Sequence, residues 1–173
     1  MLIEQILPEY DEREYHEIQI LGNPRRVYNA VRSLDFSHSS IIRHLFRLRG
    51  LPVASMRLDD LLNVGFVVVA EVPDEEFVLG LVGKFWRPTG KIEKVDAVQY
   101  REFKRRGYAK AAWNFAIHQT SSDAVRLSTE TRVKCTDEQS RRFFRLYWLL
   151  IGPFSGWIRK EILRGVKRKI ELG

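Results

Sequence analysis

The stretch LSTETRVKCTDEQSRRFFRLYWLLIGPFSGWIRKEIL, residues 127–163, carries two hydrophobic periods in succession. Leu127, Thr129, Thr131 and Val133 alternate with Ser128, Glu130, Arg132 and Lys134, the period-two pattern of a strand with one covered face and one wet face. On that pattern Glu130 and Arg132 are expected as an exposed ion pair of little energetic value. The competing reading makes them a buried polar constellation that orients a ligand. At Thr136 the period changes. Thr136 stands three residues before Gln139, the spacing of a reciprocal capping box, and Asp137 and Glu138 place negative charge where the helix dipole favours it. A long terminal helix is expected from here.

Within that helix, residues 146–158 form the longest stretch without a charge, thirteen residues between Arg145 and the Arg159–Lys160 pair. A membrane span needs about 20 mainly apolar residues, so this segment is too short to cross a bilayer. Gly152–Pro153 removes one backbone hydrogen bond and crowds the Leu149 carbonyl, which predicts a kink or break. Ahead of it, Phe143, Phe144 and residues 146–151 leave no polar side, the pattern of a helix buried on several faces. Beyond it, Ile158, Ile162, Val166 and Ile170 form a narrower stripe with charge opposite, as on a surface helix.

Toward the N-terminus, 108–119 and 124–135 read as two long strands around the polar turn TSSD. A short helix is expected within 96–107, ended by Gly107. Segments 65–72 and 76–86 read as a hairpin joined by Pro73, Asp74 and Glu75, preceded by a helical turn over 57–62. Residues 15–21 alternate as a strand. Asn23 as N-cap and Pro24 at the first helical position then open a helix over 24–34. A second helix is expected from Ser37 or Ser39 to Gly50, with Pro52 beyond it. The order is strand, two short helices, antiparallel strands and one long C-terminal helix, an α+β domain spanning 1–173.

If the strands curve around the terminal helix, a space arises between the concave face and the helix, with Trp113, Phe115 and Ile117 pointing inward. Side chains can fill such a space, since interiors close up to native density, or leave room for a guest. This arrangement, with the 127–163 stretch and the earlier GLVGKFW (80–86) and AKAAWNF (109–115), resembles the SRPBCC superfamily of START-like, helix-grip proteins. More closely it resembles a bacterial branch known mainly as hypothetical proteins. The TETR strand (Thr129–Arg132) followed by FFRLYW is the most specific part of the likeness, which runs from about residue 14 to the end. The resemblance implies a curved sheet gripping the helix over a hydrophobic cavity. Superfamily members bind lipids, sterols, polyketides and other apolar molecules, and some catalyse cyclisation or dehydration. It carries no catalytic residue across. The pocket anchors expected here are Trp86, Trp113, Phe115, Thr129, Thr131, Tyr147, Trp148 and Ile151, apolar walls with a few polar groups.

Other chemistry finds little support. His16, His38, His44 and His118 are scattered without ligand spacing, so no metal is expected, and nothing calls for a cofactor. Gly90–Lys91 lacks the remainder of a phosphate loop: Phe85 occupies the leading Gly position and Ile92 the Ser/Thr position. The one cysteine, Cys135, excludes an internal disulfide and has no evident activating base. The N-terminus has no basic, apolar leader, which makes the cytoplasm the default expectation. A formal charge of +7, concentrated in 101–110 and 159–169, permits an anionic partner such as a membrane surface or RNA without requiring one. The function expected first is binding of a small hydrophobic or amphipathic molecule. The alternatives are a cyclase, dehydratase or isomerase using the same cavity, and an RNA- or membrane-surface-binding protein using the basic face.

Overall fold

The computed structural model describes residues 1–33, 35, 58–88 and 90–172. The strands are β1 (Glu12–Leu21), β2 (Val67–Val72), β3 (Glu76–Gly83), β4 (Ala109–Gln119) and β5 (Ala124–Cys135). They form one antiparallel sheet in the order β1-β5-β4-β3-β2. The helices are α1 (Leu2–Ile6), α2 (Pro24–Arg32), α3 (Leu58–Asn63), α4 (Ala97–Glu102) and α5 (Glu138–Glu171). A register shift between Val68 and Ala70 marks a bulge in β2, the kind of irregularity that bends a strand. The curved sheet holds α5 across its concave face, along β1 and β5. This is the helix-grip α+β arrangement.

Both faces of the sheet are covered. On the concave face Ile20, Phe77, Leu79, Phe115 and Leu127 pack against Val27 and Val31 of α2 and Ile162, Leu163 and Val166 of α5. Phe115 and Ile117 therefore point inward as expected, with Trp113 partly buried beside them. On the convex face Val78, Val82 and Ala112 pack under Ile3 and Ile6 of α1 and Tyr100 of α4. Gly80 makes this last contact feasible, because a Cβ there would lie 2.7 Å from the Tyr100 ring.

The covered convex face corrects the expectation of a wet Glu130–Arg132 pair: the two residues are 0% and 6% exposed. Nothing in the acidic N-terminal composition announced α1, and the segment that leaves it lies over this pair, with the Leu7 carbonyl and the Tyr10 ring on Arg132. The Glu130 carboxylate accepts from Arg13 Nε at 2.7 Å and Arg132 Nε at 2.6 Å, while Arg132 Nη1 donates to the Leu7 carbonyl at 3.1 Å. Beside it, Glu76 accepts from the Leu2 and Ile3 backbone N–H groups at 2.7 and 3.2 Å and from Asn114 Nδ2 at 2.7 Å. Buried charges are thus paired or used to anchor α1, as burial demands.

Helix α2 starts where Asn23 and Pro24 place it, with Asn23 Oδ1 accepting from Arg26 N at 2.9 Å. The helix expected over 37–50 lies outside the described residues. Helix α5 differs from expectation in three ways. Its N-cap is Asp137, which accepts from Ser140 N at 2.9 Å, while the Thr136 hydroxyl bonds instead with the backbone of Tyr108. The reciprocal capping box occurs at Asp96 and Gln99, opening α4. Second, of the kink or break expected at Pro153, the break does not occur: α5 is one continuous helix through it. Pro153 sits on the exposed side, where water can serve the carbonyl that the proline leaves without a helical donor. Third, the first half of α5 is covered on one side rather than on several, while the second half buries its narrow apolar stripe as expected of a surface helix. Leu146, Leu149 and Leu150 are 65%, 75% and 72% exposed, whereas Ile162, Leu163, Val166 and Ile170 are buried. The sheet meets only one side of the first half, while β1 and α2 enclose the second.

Candidate functional site

Period-two alternation brings Trp113, Thr131 and Val133 to the concave face, with Trp113 directly opposite Thr131 in the β4–β5 register. Helical spacing does the same from above: Phe144, Tyr147, Trp148, Ile151, Ser155 and Arg159 fall on the face of α5 that looks down at them. Phe66, Leu81, Phe85 and Ala111 complete the described walls around a space of about 130 Å³.

The walls are held in place from behind. Trp113 Nε1 donates to Thr129 Oγ1 at 2.7 Å, and the Thr129 hydroxyl donates to the Asn114 carbonyl at 2.8 Å, fixing the indole plane. Phe115 supports the same ring from the core side at 5.0 Å between centroids. Across the space, the buried Phe144 packs on Trp148 at 5.6 Å, Tyr147 at 5.8 Å and Phe85 at 6.2 Å. Five of the expected anchors, Trp113, Thr131, Tyr147, Trp148 and Ile151, line the space. Phe115 and Thr129 stand behind its wall. Trp86 stacks on Phe143 at 6.4 Å and packs against the Phe144 cluster without lining the space itself.

One wall is charged. The Arg159 guanidinium donates from Nε to Thr131 Oγ1 at 3.0 Å, from Nη1 to the Ser155 carbonyl at 2.9 Å, and also to the Ser155 hydroxyl. Nη1 reaches Glu14 Oε2 at 3.3 Å, and the guanidinium carbon lies 5.7 Å from the Trp113 ring centre. The other Glu14 oxygen meets His16 Nε2 at 3.0 Å. Gly156 permits this junction: a Cβ there would lie 2.1 Å from Glu14 Oε1. Arg159 and Ser155 were missed as site residues, although both continue the spacing of Phe144, Tyr147, Trp148 and Ile151. Glu14 was missed because the expected strand began at Tyr15, whereas β1 begins at Glu12.

The described lining contains no carboxylate, imidazole or amine. The most strongly engaged carboxylate, Glu130, lies on the opposite sheet face. Burial acts to raise its pKa, but the hydrogen bonds from Arg13 and Arg132 hold it below the ordinary value. Cys135 is buried, and burial with the nearby Asp11 carboxylate pushes its thiol up to about 12, far from a nucleophile. A second, larger cleft of about 850 Å³ lies between the start of α1 and the β2–β3 turn. Its described lining has no Phe, Tyr or Trp, and its Glu76 carboxylate already anchors α1. It offers an apolar body little to pack on. Among the described residues no cluster of His, Cys, Asp or Glu side chains could hold a metal, and no helix is long and apolar enough to cross a membrane.

The sheet, the gripped helix and the aromatic-walled space between them define a helix-grip domain. No protein-family model matches the chain, and no curated protein matches it significantly. Among solved structures, it is similar to a hypothetical protein from Helicobacter pylori at 12% identity, covering 97% of this chain and 93% of that one, with a TM-score of 0.42. A protein from Thermus thermophilus aligns at 10% identity over 92% of this chain and 97% of that one, with a TM-score of 0.38. An aromatase/cyclase from Streptomyces sp. R1128 aligns at 9% identity over 92% and 96%, with a TM-score of 0.33.

Proposed function

We propose that this protein is a ligand-binding helix-grip domain of the SRPBCC type that holds a small hydrophobic or amphipathic molecule between Trp113 and Tyr147. The space of about 130 Å³ between sheet and α5 carries the reading. Its size sets the guest. An engineered apolar cavity of about 150 Å³ accepts benzene, so this space suits one aromatic ring or a short branched chain rather than a sterol or a long acyl chain. Its lining, mostly apolar with a few convergent polar groups, is that of a small-molecule site. A cytoplasmic setting, where a lone buried thiol stays reduced, belongs to the same proposal. The enzyme alternative gains nothing from the described lining, which offers no general base of ordinary pKa.

Titration with toluene, followed by isothermal calorimetry, tests this reading. Saturable one-site binding that disappears in Ala111→Leu, which fills the space from the β4 side, is the expected outcome. Toluene binding that survives Ala111→Leu, or no binding to the wild-type protein, counts against it.

A second reading follows from the outer face of α5. Phe143, Leu146, Leu149, Leu150, Phe154 and Trp157 are exposed along it, a stripe of about 21 Å at the helical rise. Exposed Arg142 and Arg145 flank one end, and Lys160 and Arg164 the other. Two copies paired through this stripe would set basic ends against basic ends in either orientation. An anionic membrane surface matches both the apolar face and the basic flanks. Flotation with phosphatidylserine vesicles tests it: Leu149→Asp/Leu150→Asp should abolish binding. Equal flotation with neutral vesicles, or concentration-dependent dimerisation instead, would remove the reading.

A further inference from the structure

We infer that the connection between β3 and β4 is a separate interaction surface, which binds single-stranded nucleic acid through its phosphate backbone without regard to sequence. This goes beyond the cavity reading and does not depend on it.

The charge of the chain is unevenly placed. Residues 84–108 leave β3 after Gly83 and return opposite it at Ala109, and they carry eight Lys and Arg against three Asp and Glu. One connection thus holds most of the excess in a chain of net charge +7 and sequence pI about 9.7, the balance of a nucleic-acid-binding domain. The connection does not trail from the sheet. Glu93 bridges to Val82, and α4 lies on the convex face, where the Tyr100 hydroxyl donates to the Ala111 carbonyl at 3.0 Å.

Its cations fall into two sets. Those of the first are tied down: the Arg105 guanidinium lies 4.3 Å from the Tyr108 ring centre, Lys84 Nζ lies 4.4 Å from it, and Arg101 Nη2 donates to the Val69 carbonyl at 2.7 Å. Two of the three acids are engaged within the same framework. Glu93 accepts from the Tyr108 hydroxyl at 2.6 Å and pairs with Arg105, while Asp96 caps α4 by accepting from Gln99 N at 2.8 Å. The second set, Arg87, Lys91, Lys94 and Lys104, is exposed and has no ion-pair partner among the described residues. Positive charge crowds here: burial, and then the Lys104 ammonium, lower the pKa of neighbouring Lys110.

These features select the partner. Phosphates along a flexible single strand can meet cations scattered over a curved loop. Trp86 and Phe103, both partly exposed, stand next to Arg87 and Lys104 in sequence and offer rings on which bases can stack. A duplex would need an element to enter its groove, and α4 has only six residues. A bilayer fits less well. Val98 is the connection's one strongly exposed large apolar side chain among the described residues. Moreover, α4 and α5 lie on opposite faces of the sheet, so a flat membrane against the outer face of α5 would not reach it.

The test is fluorescence anisotropy of a labelled oligouridine of about 20 nucleotides, a length beyond the usual single-strand site size. With four phosphate contacts and a slope of about −0.7 per contact, binding should weaken about 50-fold between 50 and 200 mM salt. Lys91→Gln/Lys94→Gln should bind more weakly at 50 mM salt and lose only about sevenfold over the same range, with its melting temperature unchanged. Leu149→Asp/Leu150→Asp should bind the oligouridine as the wild type does. No binding at 50 mM salt, an unchanged salt dependence in Lys91→Gln/Lys94→Gln, or tighter binding to an RNA duplex of the same length overturns the assignment. Phosphatidylserine-vesicle binding that Lys91→Gln/Lys94→Gln abolishes while oligouridine binding survives also overturns it, in favour of a membrane. Toluene binding bears on the cavity alone, so each reading can fail without the other.

Discussion

Two glycines one helical turn apart in α5 should respond to the same substitution with opposite signs. At Gly152 an added Cβ would meet the Trp148 ring atoms at 3.4–3.6 Å, ordinary van der Waals contact. Gly152→Ala should therefore yield the helix-propensity gain of an interior position, up to about 1 kcal/mol. At Gly156 the same Cβ would lie 2.1 Å from Glu14 Oε1 and 3.2 Å from His16 Nε2. The Glu14 carboxylate cannot simply swing aside, because Arg159 and His16 hold it. Overpacking costs about 1–3 kcal/mol, and a lost hydrogen bond between charged groups about 1.5–3 kcal/mol. Against a propensity gain of about 1 kcal/mol, Gly156→Ala should be destabilised by about 1.5–5 kcal/mol net. For a chain of this length each kcal/mol moves Tm by roughly 2–4 °C. Urea unfolding and thermal melts of both variants should therefore place Gly152→Ala above wild type and Gly156→Ala below it. A Gly156→Ala protein as stable as wild type would mean that α5 does not approach β1 at Glu14.

Glu130→Gln removes the charge between Arg13 and the buried Arg132; breaking a buried pair in this way should cost about 3 kcal/mol in urea unfolding, the lower end for such pairs because Arg13 can turn toward water. Asp137→Ala removes the α5 N-cap and should cost about 1 kcal/mol. The Asp137 carboxyl is held at about 2 against an ordinary 3.8, first by the Ser140 backbone N–H and also by that of Gly107. A lowered folded-state pKa stabilises above the unfolded value, so this contribution is lost as pH falls from about 3.8 toward about 2. The acid limb of the wild-type melt should show that loss, and Asp137→Ala should show less of it. Cys135, with its thiol pushed up to about 12, should react with a disulfide reagent at pH 8 far more slowly in the native protein than in urea; equal rates would contradict its burial.

Much of the fold was legible because local chemistry and tertiary structure agree. Asn23–Pro24 opens α2, Asp74 sits in the turn between β2 and β3, and alternation in 109–119 and 124–135 marks the long β4–β5 hairpin. The errors share one physical origin: periodicity tells which residues share a face, not what covers that face. Alternation put Glu130 and Arg132 together on one side of β5 and left that side to water; the N-terminal segment, anchored through α1 on Glu76, covers it instead with Leu7 and Tyr10. The apolar run of Phe143, Phe144 and residues 146–151 suggested burial on several faces, yet one curved sheet reaches only one side. Thr136 and Asp137 compete for one cap, and the tie between Thr136 and Tyr108 settles which residue serves. At the candidate site, aromatic character pointed to Trp113, Tyr147 and Trp148. Arg159 was hidden because its charge made it look like the end of the apolar stretch rather than the end wall of the cavity.

The four tryptophans supply the most direct measurement of the central claim. Trp113 and Trp148 line the space, Trp86 packs behind its wall against Phe143 and the Phe144 cluster, and Trp157 lies on the exposed stripe. In ¹H–¹⁵N spectra each indole N–H gives its own signal. Toluene titrated into the protein should shift the Trp113 and Trp148 indole signals saturably and most strongly, and leave that of Trp157 in place. Unmoved Trp113 and Trp148 signals, or shifts led by Trp157, would contradict a guest beneath α5.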